Sequence, residues 1–440
     1  MPRARIGATL LGLVLPVAVV APAAAAEPFV PGEVVVGQHG GGARVFELEP
    51  GVEMAEAIAH LRDDRGVAYA NPNWVATAAL SPLDHGRYDK SGGWRRDQWN
   101  FLGGAGGIRA PKAWDRAIAA GAAGAAGTTV AVVDTGVAFA SSESPGFAAS
   151  PDFAADQFVV GPDFVEPGTE PVDENGHGTH VAGTIAEQVT LGTEVPDDFL
   201  TGLAYDAQLM PVRVLDAEGA GNSVDVAAGI LWAARNGADV INVSLQLPSR
   251  VRRCKQVRSV CRATRKAKKL GALVVAAAGN STGGGGRPRA LFPSRAPGVL
   301  AVGASTESGC LAAYSNFGKG LDVLAPGGGA AKASVARRRC KDDSQAIRQV
   351  SFDCFPHGFC EDFDDFGIRP DIGTSMAAAH ASGVAALALA SGAAGAHPSP
   401  RRLGKRLRCT ARHGKPRRYH GAGLLDAARA THPRKGCARR

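Results

Sequence analysis

Six short runs rich in Val, Ile, Leu and Ala mark the chain from about residue 128 onward, and turn residues follow each of them. Apolar residues are nearly continuous within each run, which is typical of strands buried on both faces of a parallel sheet. The pattern therefore predicts six buried strands, at residues 128–133, 208–214, 240–245, 272–278, 299–302 and 321–324.

Segments with apolar residues at helical spacing lie between these runs, at residues 179–188, 224–236 and about 252–270. Strands that alternate with helices favour an α/β fold, here a doubly wound, mostly parallel sheet with helices on both faces. In such sheets, functional residues collect beyond the carboxyl ends of the strands. Polar residues that follow the predicted strands are therefore the first candidates for a site.

The first 26 residues have the organisation of an export signal. Arg3 and Arg5 precede an apolar run over residues 6–20, and alanines occupy 23–26. We expect residues 1–26 to be a signal peptide and the mature protein to be secreted. A membrane anchor is the alternative, but the run is interrupted by Pro16 and is shorter than the roughly 20 residues of a spanning helix. No later segment is apolar enough to predict a membrane span.

Residues 27–80 form a region of different charge. They hold eight Asp or Glu and three Lys or Arg, whereas the whole chain has a net charge of +8. Residues 33–36 and 67–70 are predicted strands, and 54–64 fit a short amphipathic helix. We expect a small α+β unit over residues 27–85, followed by a main domain over 86–440.

Eight cysteines in a chain that is expected to be exported favour disulfides over metal sites or free thiols. Sequence alone leaves their pairing open, since eight cysteines allow 105 connectivities. Sequence neighbours are the first hypothesis: Cys254 with Cys261, Cys354 with Cys360, and Cys409 with Cys437.

Three motifs place reactive side chains where predicted strands end or predicted helices begin. They are Asp134 in Val-Ala-Val-Val-Asp-Thr-Gly (130–136), His177 in Asn-Gly-His-Gly-Thr-His-Val-Ala-Gly (175–183), and Ser375 in Gly-Thr-Ser-Met-Ala-Ala-Ala-His (373–380). Singly, each has a structural explanation, because Asp is a common turn former and Ser a common helix cap. The two histidines of the second motif are three residues apart, but no adjacent glutamate completes a protease-type zinc helix.

In combination, the motifs resemble those of the subtilisin-like serine proteases, over about residues 99–430. Asp, His and Ser occur in the chain order of subtilisin. The resemblance implies that Asp134 orients His177, that His177 is the general base and that Ser375 is the nucleophile. A fourth motif, Ala-Ala-Ala-Gly-Asn at 276–280, implies that Asn280 is the side-chain donor of the oxyanion hole. His180 is then a structural residue.

The same resemblance implies an inhibitory propeptide. Residues 67–74, Val-Ala-Tyr-Ala-Asn-Pro-Asn-Trp, look like the end of such a segment, which the enzyme would remove itself. An accessory binding domain that stays attached is the alternative for this unit. For the whole chain, the resemblance implies a secreted endopeptidase that cleaves protein or peptide substrates through an acyl-enzyme. The alternative is a catalytically silent binding protein of the same fold.

The resemblance also locates the walls of the primary substrate pocket. They match Ser244, Leu245 and Gln246 on one side and Ala276, Ala277, Ala278 and Gly279 on the other. Neither wall holds a carboxylate, so we expect apolar or medium-sized residues before the cut rather than Lys or Arg. Gln246 departs from the family's Gly, and its side chain could narrow the cleft.

Other features depart from the family or extend it. The chemistry needs no cofactor, and the family's calcium loop is not matched, although Glu194, Asp197 and Asp198 could bind calcium differently. Residues 328–369 form a Cys-containing insertion placed to border the cleft, and Ala379 replaces the family's Pro. The segment 250–269 holds ten Lys or Arg. It is interpreted as a solvated helix face or as a contact for an anionic surface, and its lack of aromatic residues argues against nucleic acid.

Overall fold

The protein is described here by a computed structural model. It describes residues 27–39, 42–81, 93–140, 146–188, 200–281, 289–332, 340, 345–352, 363–412 and 417–433. The predicted signal peptide and the three calcium candidates, Glu194, Asp197 and Asp198, lie outside these residues.

The described chain contains strands and helices in alternation. The strands are β1 Phe29–Gln38, β2 Ala43–Glu47, β3 Val67–Ala78, β4 Leu80–Ser81, β5 Thr129–Asp134, β6 Gln208–Arg213, β7 Ala220–Asn222, β8 Val240–Val243, β9 Leu245–Gln246, β10 Leu273–Ala277, β11 Leu300–Ser305, β12 Val323–Pro326, β13 Ile347–Ser351 and β14 Gly367–Gly373. The helices are α1 Met54–Asp63, α2 Trp94–Asp97, α3 Ala110–Ala119, α4 His177–Ala186, α5 Ser223–Arg235, α6 Arg258–Leu270, α7 Thr374–Ala390, α8 Pro400–Thr410, α9 Arg417–His420 and α10 Ala427–Ala430.

The central sheet has six strands in the order β12-β11-β10-β8-β5-β6, and all its pairs are parallel. Each of the six apolar runs forms one of these strands, so the predicted α/β fold is confirmed. The order reverses direction beside β5, because β6 lies on one side of it and β8 on the other. A strand order that reverses in this way opens a crevice at the carboxyl ends, where ligands commonly bind.

Side chains of the central strands alternate between two hydrophobic clusters. On β5, Val130 and Val132 pack in the cluster that contains α7, while Ala131 and Val133 pack in the cluster that contains α5 and α6. Helix α7 is buried along almost its whole length and is rich in small residues. A helix that is apolar on all sides is stable only inside the core, which fixes α7 and its N-terminus against the sheet.

The N-terminal unit, residues 27–81, is an antiparallel sheet covered by one helix. Strand β1 lies between β2 and β3, and α1 packs its Ile58 against Val34, Val36 and Ala70. Strand β3 is much longer than the predicted 67–70, because its second half pairs with β7 and β9 of the main domain. Strand β4 then pairs with β14. The end of the N-terminal unit is therefore held along its length by strands of the main domain.

The cysteines are paired wherever the structure describes them. The predicted Cys254–Cys261 bridge is present, and Cys310–Cys340 is a bridge that sequence proximity did not predict. Cys409 is also disulfide-bonded, whereas the predicted partners Cys354, Cys360 and Cys437 lie outside the described residues. Among the described helices, none has the length and apolar character required to cross a bilayer.

Candidate active site

Asp134 and His177 meet at the carboxyl edge of the central sheet. Asp134 is the last residue of β5 and His177 the first residue of α4, and both are buried. The distance from His177 Nδ1 to Asp134 Oδ1 is 2.5 Å. Burial alone would lower the pKa of His177, but the charge and hydrogen bond of Asp134, with weaker effects of Asp371 and Asp173, raise it above its ordinary value.

The loop before His177 is fixed by Asp173, which the sequence analysis did not single out. Asp173 Oδ1 accepts hydrogen bonds from the amides of Asn175 and Gly176 and from the Thr135 hydroxyl, and its Oδ2 accepts two from Thr179. Five donors thus hold one buried carboxylate and link the end of β5 to the start of α4. The only signal in the sequence was an acid four residues before the histidine.

Ser375 is the second residue of α7 and is completely buried. Its hydroxyl donates a hydrogen bond to the Ser244 carbonyl at 2.9 Å, while His177 Nε2 is buried and has no hydrogen-bond partner among the described residues. The serine and histidine are therefore not hydrogen-bonded to each other in this state.

Asn280 lies at a loop after β10, beside the N-terminus of α7. Its side-chain oxygen accepts hydrogen bonds from the amide and the hydroxyl of Thr374, at 3.1 and 2.8 Å. Those two bonds fix the orientation of the amide, so its Nδ2 faces the opposite way. Thr374 is thus a positioning residue; it lies in the motif at 373–380, but the sequence did not distinguish it from its neighbours.

Ala79 places its carbonyl oxygen between two donors. Asn280 Nδ2 donates to it at 2.5 Å and the Ser375 amide at 3.3 Å. The amide of Ala79 in turn donates to the Ser244 carbonyl at 3.0 Å. The peptide bond between Ala79 and Leu80 is thus held beside Ser375, with its carbonyl oxygen between two hydrogen-bond donors.

The chain on both sides of the Ala79–Leu80 bond pairs with strands of the main domain. Before it, Val75 to Thr77 pair with β7, and Thr77 and Ala78 pair with β9. After it, Leu80 and Ser81 pair with Gly373 and Ile372 of β14. An extended segment paired on both flanks is the geometry in which a protein binds a peptide by adding a strand.

Of the predicted pocket residues, one wall contacts the segment that contains Ala79, while the other wall is divided among several hydrophobic clusters. Ser244 and Leu245 pair with the bound segment, and Ala277 shares a hydrophobic cluster with Ala79. Ala276 packs in the cluster on the other face of the sheet, and Ala278 contacts the cluster of Ala290. Gly279 has a positive φ of 97° and lies beneath the Gln246 side chain, whose Oε1 accepts the Asn280 amide at 3.0 Å.

His180 and the insertion at residues 328–369 make contacts at the same carboxyl edge of the central sheet. His180 Nε2 lies 3.2 Å from the Ile347 carbonyl and 3.1 Å from the Arg369 carbonyl, and burial lowers its pKa. It therefore ties the β13–β14 hairpin to α4, in agreement with the structural role expected for it. The described part of the insertion also reaches the histidine loop, where the Ser351 hydroxyl donates to the Gly176 carbonyl at 2.7 Å.

The basic segment 250–269 contacts the N-terminal unit. Arg258 donates to the Ala68 carbonyl at 2.9 Å, and the Arg262 guanidinium lies 4.9 Å from the ring centre of Tyr69. The Lys255 carbonyl accepts from the Asn71 side chain at 2.9 Å. Part of this segment therefore faces the acidic N-terminal unit, a contact that neither interpretation of the charge run anticipated.

Two buried carboxylates lie apart from this edge. Asp152 Oδ2 and both oxygens of Glu187 are buried without a hydrogen-bond partner in the described chain. Burial raises the pKa of Asp152 to about 6, and burial together with the Asp152 charge raises that of Glu187 well above its ordinary value. No group of three or more His, Cys, Asp or Glu side chains arranged to hold a metal occurs among the described residues.

Comparison with known proteins gives consistent matches. Subtilisin DY of Bacillus licheniformis is 33% identical over 308 residues, which cover 69% of this chain and 91% of that protein. Subtilisin Savinase of Lederbergia lenta is 37% identical over 223 residues, 50% of this chain and 69% of that protein. For a thermophilic serine proteinase of a Bacillus species, the match is 33% identical and covers 59% of this chain but about half, 55%, of that protein.

A solved protease structure from Pseudoalteromonas arctica matches the fold with a TM-score of 0.60 and 30% sequence identity. The match covers 78% of this chain and 98% of that one. The family model described as "Subtilase family" matches residues 125–423, a range that includes Asp134, His177, Asn280 and Ser375. On this range and these identities, the chain belongs to the subtilase family.

Proposed function

We propose that the protein is a serine endopeptidase in which Ser375 is the nucleophile, His177 the general base and Asp134 the residue that orients His177. The observation that carries the proposal is the Ala79 carbonyl, which accepts hydrogen bonds from Asn280 and from the Ser375 amide. A peptide carbonyl that is held by two fixed donors next to a serine has the arrangement of a bound substrate before acyl transfer.

In the first step, His177 Nε2 takes the proton from the Ser375 hydroxyl as Oγ bonds to the substrate carbonyl carbon. The electron pair of the C=O bond moves to oxygen, where Asn280 and the Ser375 amide stabilise it. When the carbonyl reforms, the C–N bond breaks and His177 gives its proton to the leaving amine. Water then repeats the sequence on the acyl-enzyme, releasing the acid and restoring Ser375.

We further propose that the protein is made with residues 27–79 as an inhibitory propeptide and that it cuts the Ala79–Leu80 bond itself. The predicted boundary at residue 85 would then move to residue 79. Inhibition follows from the strand pairing on both sides of the bond, which blocks the cleft, and from the contacts of Arg258 and Arg262 with the N-terminal unit. Export through a signal peptide over residues 1–26 belongs to the same proposal.

The activity is tested on the mature protein with a fluorophosphonate probe and with peptide substrates. We expect labelling at Ser375 and hydrolysis of peptides with a small or apolar residue before the cut. The His177→Ala variant should neither remove residues 27–79 nor react with the probe or hydrolyse peptides, because without the base the Ser375 hydroxyl keeps its proton. A correctly folded mature protein that does not react with the probe would instead be a binding protein of this fold.

We also propose a structural calcium ion at Asp152 and Glu187, since hard cations prefer carboxylate oxygens. When a chelator has removed calcium, burial and the Asp152 charge hold the pKa of Glu187 in the folded protein above its value in the unfolded chain. The free energy of unfolding therefore falls as pH rises from the unfolded pKa to the folded one. Glu187→Gln should therefore raise the Tm at pH 8 by at least about 2 °C, and the difference should vanish near pH 4. Millimolar calcium should raise the Tm of the parent and not of the variant. An equal calcium response of both proteins would contradict the assignment.

A further inference from the structure

Gln246 connects the two walls of the primary substrate pocket. Its backbone belongs to β9, the edge that pairs with the bound segment at Thr77. Its side-chain Oε1 accepts a hydrogen bond at 3.0 Å from the backbone amide of Asn280, which lies on the opposite wall. The side chain therefore crosses from one wall to the other next to the oxyanion donor.

The space between the walls is filled where Gln246 crosses it. A Cβ built on Gly279 would lie 2.8 Å from Gln246 Oε1 and 2.7 Å from Asn316 Nδ2, which is closer than real Cβ contacts. With Gly in place of Gln246, no side chain would cover Gly279 from that wall, and the Asn280 amide would lose this acceptor. Ala79, the residue before the Ala79–Leu80 bond, has one of the smallest side chains and is completely buried.

We propose that Gln246 is the specificity-determining residue of the pocket: its side chain limits the residue before the cut to a small one, Ala above all, and disfavours Leu and Phe. This rests on the proposed peptidase activity and narrows the substrates expected from the pocket walls. Filled volume in a pocket excludes larger side chains because packed walls do not yield without strain.

The test compares kcat/KM for three peptides that differ only in having Ala, Leu or Phe before the cut. Each protein is normalised to the fraction that reacts with a fluorophosphonate, so misfolded enzyme does not count. For Gln246→Ala, we expect the Phe-to-Ala ratio of kcat/KM to rise at least about tenfold over the parent, the effect of adding room for a few methylene groups.

Gln246→Glu is the matched control, because its carboxylate keeps the length of the side chain and can still accept from Asn280. Its Phe-to-Ala ratio should stay within about threefold of the parent, well below the change expected for added pocket room. Gln246→Gly provides a second opening variant if Gln246→Ala folds poorly.

Two results would overturn the proposal. One is a Phe-to-Ala ratio of kcat/KM that is unchanged in both Gln246→Ala and Gln246→Gly. The other is a kcat of these variants that falls equally for all three peptides, which would make Gln246 a positioning residue for Asn280 alone. A parent that neither labels nor hydrolyses any peptide would refute the proposed peptidase activity instead, so the two failures are distinguishable.

Discussion

Ser375→Ala should leave residues 27–79 covalently attached, while the parent should lose them and begin at Leu80. The substitution removes the hydroxyl and leaves the Ser375 amide, the strand pairing around Ala79 and the hydrogen bond from Asn280 in place. Fold and cleft are thus kept while the reacting atom is lost. Intact-mass measurement after secretion from a host that lacks other exported proteases should show the precursor without its signal peptide, heavier than the mature parent by the mass of residues 27–79.

The matched control is Ser391→Ala, at the C-cap residue that directly follows helix α7. It removes a serine hydroxyl beside the helix that carries Ser375, and it should mature at the parent's rate with Leu80 as its first residue. If the Ser375→Ala protein matures as fast and to the same N-terminus, another enzyme makes the cut and self-processing is wrong. If the parent keeps residues 27–79, this unit is an accessory domain.

The central sheet was predictable because its strands are buried on both faces. Each of these strands is a nearly continuous apolar run, so the sequence pattern determines it locally. Strand β2 was missed, because its Val45 and Phe46 are exposed and it exists only through pairing with β1. Strands β4, β7 and β9 are two or three residues long and are defined by long-range pairing, β7 and β9 with β3 and β4 with β14.

The residues of the candidate site fall into two groups, those that a local motif locates and those that only long-range packing brings into contact. Asp134, His177, Asn280 and Ser375 lie in compact motifs at element ends, so the motifs alone locate them. Thr374 holds Asn280 across 94 positions of sequence. The carbonyl that lies between the oxyanion donors comes from Ala79, 201 positions before Asn280. Contacts of that separation depend on how distant parts of the chain pack together, and no local pattern encodes them. The Cys310–Cys340 bridge was missed for the same reason, since nearness in sequence was the only guide.

Asn280→Ala should lower kcat by about 10²- to 10³-fold and leave KM nearly unchanged, because the amide hydrogen bond strengthens as charge develops on the substrate oxygen. The figure comes from a subtilisin and is carried over to this chain by family membership. Activity should survive at a low level, since the Ser375 amide still donates. Maturation should be slowed by the same factor and not abolished.

Thr374→Val tests whether the orientation of Asn280 matters as well as its presence. The variant loses the hydroxyl that donates to Asn280 Oδ1 at 2.8 Å and keeps the backbone donor at 3.1 Å. We expect a loss in kcat of about tenfold, smaller than that of Asn280→Ala, because the donor remains but is held by one hydrogen bond in place of two. The double variant should be no slower than Asn280→Ala alone, since Thr374 acts on the oxyanion through Asn280. If the losses in kcat of the two single variants add up in the double variant, Thr374 has a role independent of Asn280. If kcat of Asn280→Ala stays within about twofold of the parent, Asn280 is not a donor of the oxyanion hole.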